Sequence, residues 1–317
     1  MNINNEIAKL DWKREPYGLY EPIEYTLAAG GKRVRPQLAM IASRMFDGKD
    51  EAVMPAALAL EVFHNFTLLH DDVMDKADMR RGRPTVHVKW NENTAILSGD
   101  QMLIEAYKLL SGVPADKLPK VLQLFNQMAT EICEGQQYDV DFESQEQVAL
   151  DDYLLMIRLK TSVLLANALQ IGAYIAGADE QAQDALYQFG LAVGLAFQIQ
   201  DDILDVWGDP QTFGKAVGGD ISCNKKTFVY LTALQLATTL NHSTQPLNHW
   251  YSQVLEDNTE KIAAVKAIFE QLGVREACEV VVAQYTQSAL EILDTLPQNT
   301  ATEQLRQLAN KLHTRKD

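Results

Sequence analysis

The chain has 317 residues, of which 47% are hydrophobic, and a formal net charge of −15 at pH 7. The acidic balance argues against nucleic-acid binding, which needs a basic face to neutralise phosphates. The three cysteines form no CxxC pair, so we expect reduced thiols and no disulfide framework.

Most of the chain has the periodicity of α-helices, because apolar residues recur at three- and four-residue spacing. Strands are not expected, since alternating β-branched segments between hairpin turns are nearly absent. The helices predicted in this way cover 55–69, 95–110, 118–133, 153–176, 181–204, 226–240, 260–272 and 275–293. The stretches 56–69 and 189–199 within them are apolar on almost every side, as in the middle of a helical core. We therefore predict an all-α helical bundle that forms one domain over residues 1–317.

The N-terminal segment MNINNEIAKLDWKRE lacks the apolar core of a signal peptide. No apolar run reaches the roughly 20 residues that a membrane span needs. The sequence therefore predicts a soluble, cytoplasmic protein without an integral membrane segment.

A first basic cluster lies in the segment GGKRVRP (30–36), where two glycines and a proline indicate a loop. Its cations are Lys32, Arg33 and Arg35. Arginine forks and lysine point charges suit a phosphate ligand, and ordinary surface charge is the alternative interpretation.

Two acidic clusters share one pattern, an apolar run followed by two adjacent aspartates and a third three residues later. They are TLLHDDVMD (67–75) and FQIQDDILD (197–205), and each ends a predicted helix. Like charges at this spacing destabilise a helix, and the dipole at a helix C-terminus adds to the cost. A hard divalent cation such as Mg²⁺ offsets the repulsion. Solvated acidic helix ends are the alternative, which two copies on apolar helices disfavour. The candidate metal ligands are Asp71, Asp72, Asp75, Asp201, Asp202 and Asp205.

Further polar residues accompany both clusters. Arg80, Arg81 and Arg83 follow the first, and Lys215, Lys225 and Lys226 follow the second. His64 precedes Asp71 by seven residues and lies about 20° from it on a helix, although a satisfied core histidine is the alternative. Lys160 and Thr161 lie in LKTS (159–162) within an apolar helix, where a buried ammonium needs an anionic partner. Gln198 shares a helix face with Asp202. We expect both clusters to face one central apolar cavity.

These segments together resemble the trans-isoprenyl diphosphate synthase family. The similar stretches are, in family order, GGKRVRP, HDDVMDKADMRRGRPTVH (70–87), LKTS, FQIQDDILDVWGD (197–209) and GKAVGGDISCNKK (214–226). The resemblance covers about two-thirds of the chain. It implies an isoprenoid synthase fold and a Mg²⁺-dependent prenyltransferase that adds isopentenyl diphosphate to an allylic diphosphate by ionisation, condensation and elimination.

The same resemblance implies a role for each candidate residue. Isopentenyl diphosphate would bind Lys32, Arg35, His64 and Arg81. The allylic diphosphate would face Arg80, Lys160, Thr161, Gln198, Lys215 and Lys225, and catalysis would involve Lys160, Thr161 and Gln198. The main Mg²⁺ ligands would be Asp71, Asp75 and Asp201, with direct or water-mediated support from Asp72, Asp202 and Asp205. The family normally binds three Mg²⁺ and forms homodimers.

The growing product is expected to run down the helix that ends at Asp71. Thr67 is small and lies about 40° from Asp71 on a helix. Phe63, one turn deeper, is a candidate floor of the cavity that holds the growing chain. In the family, the position five before the first aspartate, here Phe66, often limits the product. An aromatic residue there resembles archaeal-type C20 synthases, although the helical wheel turns Phe66 away from Asp71. We expect geranylgeranyl diphosphate (C20), then farnesyl diphosphate (C15); two plain core aromatics are the alternative.

Three rival functions remain from the sequence alone. A terpene cyclase also uses an aspartate-rich helix, but it needs no second diphosphate site. A non-catalytic subunit of a heteromeric synthase usually lacks one aspartate cluster, and both are intact here. A plain helical scaffold leaves the paired clusters without a reason.

Overall fold

A computed structural model describes residues 2–209 and 217–313. Helices dominate these residues, which confirms the all-α prediction. The α-helices are α1 (Ile3–Ile7), α2 (Tyr17–Ala28), α3 (Val34–Met45), α4 (Asp50–Met74), α5 (Val86–Lys89), α6 (Glu92–Leu110), α7 (Leu118–Ser144), α8 (Leu150–Ile157), α9 (Val163–Ala176), α10 (Glu180–Trp207), α11 (Gly219–Ser222), α12 (Phe228–Thr239), α13 (Gln245–Tyr251), α14 (Thr259–Leu272), α15 (Val274–Asp294) and α16 (Thr300–His313). A π-helical turn, Arg158–Ser162, joins α8 to α9, and β1 (Met79–Arg80) pairs with β2 (Arg83–Pro84) in an antiparallel hairpin.

The chain divides into two compact units. The first comprises Met1–Asn126, Asn167–Leu186 and Asn299–Ala301. The second comprises Gln127–Ala166, Tyr187–Gln298 and Thr302–Asp317. The single domain over 1–317 and the central cavity stay predictions.

Helix α4 is the centre of the first unit and carries the first aspartate cluster. Its first turn contains Asp50 and Glu51, whose charges favour a helix N-terminus. It packs against α3 and α6, which bury most of its residues. The helix ends where Asp75 caps it and Lys76 enters the left-handed region at φ 51°. The first aspartate pair therefore lies in the last turn of a buried helix.

Helix α10 carries the second cluster into the core of the second unit. Asp179 caps its N-terminus, because the Asp179 Oδ1 accepts a hydrogen bond from the Ala182 N–H at 2.8 Å. The helix ends before Gly208, where an added Cβ would lie 2.4 Å from the Leu204 carbonyl oxygen. In the same unit, α12 packs against α8, α14 and α15.

The structure corrects one expectation about a loop. Arg35 and Pro36 were expected in a loop, but α3 begins at Val34, so both lie in its first turn. Two stretches, Asp50–Met74 and Leu150–Ala176, are by length and composition long and apolar enough to cross a membrane. The absence of an integral membrane segment stays a prediction. In each apolar window 67% of the residues are buried inside the protein, which is typical of core helices.

Candidate active site

The three aspartates of the first cluster have different surroundings. Asp72 is buried and accepts a hydrogen bond from the Arg80 Nε at 2.7 Å. Its pKa is raised because burial outweighs the attraction of Arg80. Asp71 is half-buried, with its Oδ2 3.7 Å from an Arg80 guanidinium nitrogen, and Asp75 is exposed. The middle aspartate is therefore held by the protein, while the outer two are closer to solvent.

A two-residue hairpin turn positions the arginines that follow this cluster. Arg81 and Gly82 both have positive φ, 51° and 72°, as a type I′ turn requires. The Arg81 guanidinium donates a hydrogen bond to the Gly30 carbonyl oxygen. At Gly31, with φ 134°, an added Cβ would lie 3.0 Å from an Arg81 nitrogen. The hairpin thus brings Arg81 to the basic segment 30–36.

Arg33 has a structural role, which corrects its grouping with the phosphate-binding cations. Its guanidinium lies 2.6 Å from the Glu61 Oε1 and donates to the Leu27 carbonyl oxygen at 2.6 Å. The Glu61 Oε1 also accepts from the Asn65 Nδ2 at 3.0 Å. Because this guanidinium is buried and its fork is occupied, it cannot serve an incoming diphosphate.

His64, Arg35, Arg80 and Arg81 form an electrostatic cluster in the first unit. The pKa of His64 lies well below its usual value because of burial and the charges of Arg35, Arg81 and Arg80. Burial lowers the pKa of Arg35 to about 10, and burial also lowers the pKa of Arg81. The Arg35 Nε is buried without a hydrogen-bond partner among the described residues, while Lys32 is exposed. A diphosphate anion would offset this mutual repulsion and supply the missing acceptor.

The chain-length candidates belong to an aromatic cluster below the first aspartates. Phe63 is 1% exposed, and its ring centroid lies 5.4 Å from that of Phe66 and 5.1 Å from that of Phe125. Phe66 is half-buried and contacts the His70 ring at 4.8 Å. The half-buried Thr67 donates its hydroxyl hydrogen bond back to the His64 carbonyl oxygen at 2.8 Å. Both candidate phenylalanines thus contact each other, and Phe125 is a third member that the sequence did not reveal.

In the second cluster, Asp202 is buried and its carboxylate is fully engaged. Its Oδ2 accepts from the Tyr153 hydroxyl at 2.6 Å and from the Phe228 N–H at 3.1 Å. Its Oδ1 accepts from the Gln198 Nε2 at 3.3 Å. The pKa of Asp202 is raised well above its usual value, chiefly by burial. The Asp205 carboxylate accepts from the Asp220 N–H at 3.0 Å, and Asp201 is half-buried.

The π-helical turn presents Lys160 and Thr161. The Lys160 Nζ lies 2.5 Å from the Asp139 Oδ2, and Thr161 donates weakly to the Gln198 Oε1 at 3.4 Å. Glycines allow the neighbouring helices to approach this turn: a Cβ at Gly135 would lie 2.3 Å from the Lys160 backbone nitrogen. The sequence predicted an anionic partner for this lysine but could not identify Asp139 among the many acidic residues.

The lysines that follow the second cluster differ in their contacts. The Lys226 Nζ donates to the Phe142 carbonyl oxygen at 2.9 Å, which gives it a structural contact. Lys225 is exposed and its backbone N–H bonds to the Asp220 carbonyl oxygen at 2.9 Å. Lys215 lies outside the described residues.

Within residues 2–209 and 217–313, no three or more histidine, cysteine or acidic side chains converge in a metal-binding group. Mg²⁺ usually takes one or two carboxylates plus phosphate oxygens and water. In each cluster some carboxylates are less enclosed and offer hard oxygen donors of this kind: Asp71 and Asp75 in the first, and Asp201 in the second.

The chain is similar in sequence to known proteins. Residues 16–272 match the family described as polyprenyl synthetase. A geranylgeranyl diphosphate synthase of Methanosarcina mazei is 41% identical over 71% of this chain and 70% of its own length. A geranylfarnesyl diphosphate synthase of Natronomonas pharaonis is 35% identical over 98% of this chain and 94% of its own.

Solved structures of similar proteins have the same fold. A crystal structure of a geranylgeranyl pyrophosphate synthase has a TM-score of 0.92 and 46% identity, covering 99% of this chain and 96% of that one. The geranylgeranyl pyrophosphate synthase of Corynebacterium glutamicum, complexed with isoprenyl diphosphate and magnesium, has a TM-score of 0.87 and 30% identity, covering 98% and 97%.

Proposed function

Because the chain belongs to the polyprenyl synthetase family and is a prenyltransferase, we propose that it is a Mg²⁺-dependent synthase whose main product is geranylgeranyl diphosphate. The observation that carries the product assignment is the 46% identity, over 99% of this chain, to a geranylgeranyl pyrophosphate synthase. Its substrates are isopentenyl diphosphate and an allylic diphosphate.

The proposed isopentenyl diphosphate site lies in the first unit. Lys32, Arg35, Arg81 and His64 bind its diphosphate. The lowered pKa of His64 means that the ring is neutral at pH 7 and acts as a hydrogen-bond donor through one N–H. The mutual repulsion of the surrounding guanidiniums supports an anionic ligand here.

The proposed allylic diphosphate ligands are Arg80, Lys160, Thr161, Gln198, Lys215 and Lys225. Asp71, Asp75 and Asp201 would hold Mg²⁺, three ions in all, with Asp72, Asp202 and Asp205 in support. When bound, Mg²⁺ supplies positive charge that offsets the negative charge developing on the departing pyrophosphate.

The proposed reaction proceeds in three steps. The C–O bond of the allylic diphosphate breaks, and its electron pair leaves with pyrophosphate, which Arg80 and Lys160 stabilise. The double bond of isopentenyl diphosphate then attacks the allylic cation and forms the new C–C bond. Loss of a proton, which pyrophosphate accepts, restores a double bond. Apolar side chains exclude water, which would otherwise quench the cation.

Incubation of the purified chain with isopentenyl diphosphate, Mg²⁺ and each short allylic diphosphate tests the function. We expect C20 product, identified by chromatography after dephosphorylation. Consumption of a single prenyl diphosphate without isopentenyl diphosphate would instead indicate a terpene cyclase. Inactivity of the chain alone, with activity restored by a partner chain, would indicate a subunit of a heteromeric synthase.

We propose that the aromatic cluster around Phe63 and Phe66 limits the product at C20. Phe66→Ala and Phe63→Ala should each open space and shift the product to C25 or longer. Phe46→Ala, a substitution in the same unit but at the end of α3, should leave the product unchanged. If both test variants fold and make the wild-type product, the floor lies elsewhere.

A homodimer is proposed from the exposed face of α6. Its large apolar side chains Ile96, Leu97, Ile104 and Tyr107 are 42%, 58%, 51% and 38% exposed. Such a patch on one helix suits a second copy of the chain. Leu97→Asp should shift the mass measured by light scattering from dimer to monomer. A cytoplasmic location stays a prediction.

A further inference from the structure

The segment from Gly218 to Phe228 carries Lys225 and is attached to the second aspartate cluster at both ends. Near its start, the Gly218 N–H bonds to the Asp205 carbonyl oxygen at 2.6 Å. At its end, the Phe228 N–H bonds to the Asp202 carboxylate at 3.1 Å. The aspartates therefore fix where the segment begins and ends.

Lys261 of α14 binds the middle of the segment, at Ser222 and Asn224. Lys261 is 0% exposed, and its Nζ donates to the Asn224 Oδ1 at 2.6 Å. It also donates to the Gln253 carbonyl oxygen at 3.1 Å and to the Ser222 carbonyl oxygen at 3.4 Å. All three donors of the ammonium are thus directed at neutral oxygen atoms.

The buried charge of Lys261 depends on these hydrogen-bond acceptors. The three hydrogen-bond acceptors named above carry no charge, and burial lowers the pKa of Lys261. A buried ammonium is tolerated only while its hydrogen-bond acceptors stay in place. Movement of the segment would leave that charge without acceptors, so the ammonium favours one conformation of residues 222–224.

That conformation determines where Lys225 emerges. Asn224 adopts φ 56°, in the left-handed region, and its Nδ2 donates to the Gln253 carbonyl oxygen at 3.0 Å. Asparagine tolerates this region better than most residues, but the side-chain hydrogen bonds on both sides are what specify it. Lys225 follows directly, with its backbone N–H bonded to the Asp220 carbonyl oxygen.

We propose that Lys261 is a positioning residue that, through Asn224, holds Lys225 in place for the allylic diphosphate. The proposal rests on the proposed function. Loss of the ammonium should weaken binding of the allylic diphosphate more than binding of isopentenyl diphosphate, since the first unit supplies the proposed ligands of the latter.

Steady-state kinetics of Lys261→Met test this role. We expect the KM for the allylic diphosphate to rise about tenfold, the effect of losing one good charge-assisted contact. The KM for isopentenyl diphosphate should stay within about twofold. Lys266→Met, a half-buried lysine on the same helix, should leave both values unchanged. Equal increases in both KM values would overturn the proposal, because they indicate a general structural role.

A double-mutant cycle separates positioning from an independent effect. If Lys261 acts through Lys225, Lys225→Ala/Lys261→Met should be no weaker in allylic substrate binding than Lys225→Ala alone. Fully additive effects would overturn the proposal. Calorimetric binding of pyrophosphate with Mg²⁺ should show the same non-additivity without turnover.

Asn224→Gly is a second test variant, for use if circular dichroism shows that Lys261→Met is unfolded. Glycine keeps the positive φ but removes the acceptor, so the same KM split is expected. An unchanged allylic KM in Asn224→Gly would then reject the proposal. Failure of the wild-type protein to condense the two substrates would instead reject the proposed function.

Discussion

Replacing Glu61 by glutamine removes the buried negative charge around which the basic segment 30–36 is organised. Its ion pair with Arg33 spans 2.6 Å, and the two side chains are 2% and 4% exposed. Removing one partner of a buried ion pair costs about 3–5 kcal/mol, because the other charge stays buried and uncompensated. Glutamine preserves the volume and one hydrogen-bond acceptor, so we expect the lower end, about 3 kcal/mol of unfolding free energy. Urea denaturation followed by circular dichroism measures this loss.

The exposed pair Arg44–Asp50 is a matched control. Its N···O distance is 2.7 Å, close to that of the buried pair, but its side chains are 43% and 20% exposed. Arg44→Met should therefore cost less than about 1 kcal/mol. The double variant Glu61→Gln/Arg33→Met should lose less than the sum of the single variants, since it leaves no buried charge unpaired. Similar losses for Glu61→Gln and Arg44→Met would refute the argument from burial.

Three further measurements test the site. Asp71→Ala and Asp201→Ala, or chelation of Mg²⁺, should each lower kcat by about 10²–10³-fold or more, and near wild-type rates would exclude the metal assignment. Lys32→Ala should raise the KM for isopentenyl diphosphate, and an unchanged KM would remove it from that site. Because the pKa of His64 is lowered in the folded state, the unfolded chain binds the extra proton below about pH 6.5. The wild-type unfolding free energy should then fall, relative to His64→Gln, by up to about 1.4 kcal/mol per pH unit between pH 6.5 and 5.5, and parallel curves would contradict this.

Much of the fold was predictable because the aspartate clusters follow long apolar segments. The segments 55–69 and 181–204 were recognised as core helices, and the structure extends them to Asp50–Met74 and Glu180–Trp207. The extensions contain polar residues, such as Asp50 at the N-terminus of α4, which periodicity alone does not assign to a helix. Capping and dipole effects determine these ends, and they depend on a few residues.

Tertiary contacts explain what the sequence left undetermined. Arg33 and Arg35 are two residues apart in the same basic segment. Arg33 donates a hydrogen bond to the buried Glu61, which lies 28 residues further along. Asp139 pairs with Lys160 across 21 residues, and Tyr153 reaches Asp202 across 49. No local pattern identifies such partners, because their separation is set by how the helices pack. The hairpin at 79–84 was missed since each of its strands has only two residues.

The two aspartate clusters share one sequence pattern, but different groups bind the middle carboxylate of each. The middle aspartate of the first cluster is paired with a charge, the Arg80 guanidinium. The middle aspartate of the second is satisfied by neutral donors, the Tyr153 hydroxyl and the Phe228 N–H. The Arg80–Asp72 bond connects the end of α4 to the hairpin 79–84. The Phe228–Asp202 bond connects the end of α10 to the segment 218–228. Asp72 and Asp202 therefore hold the segments that carry Arg81 and Lys225, which leaves Asp71, Asp75 and Asp201 as the better candidates for the metal.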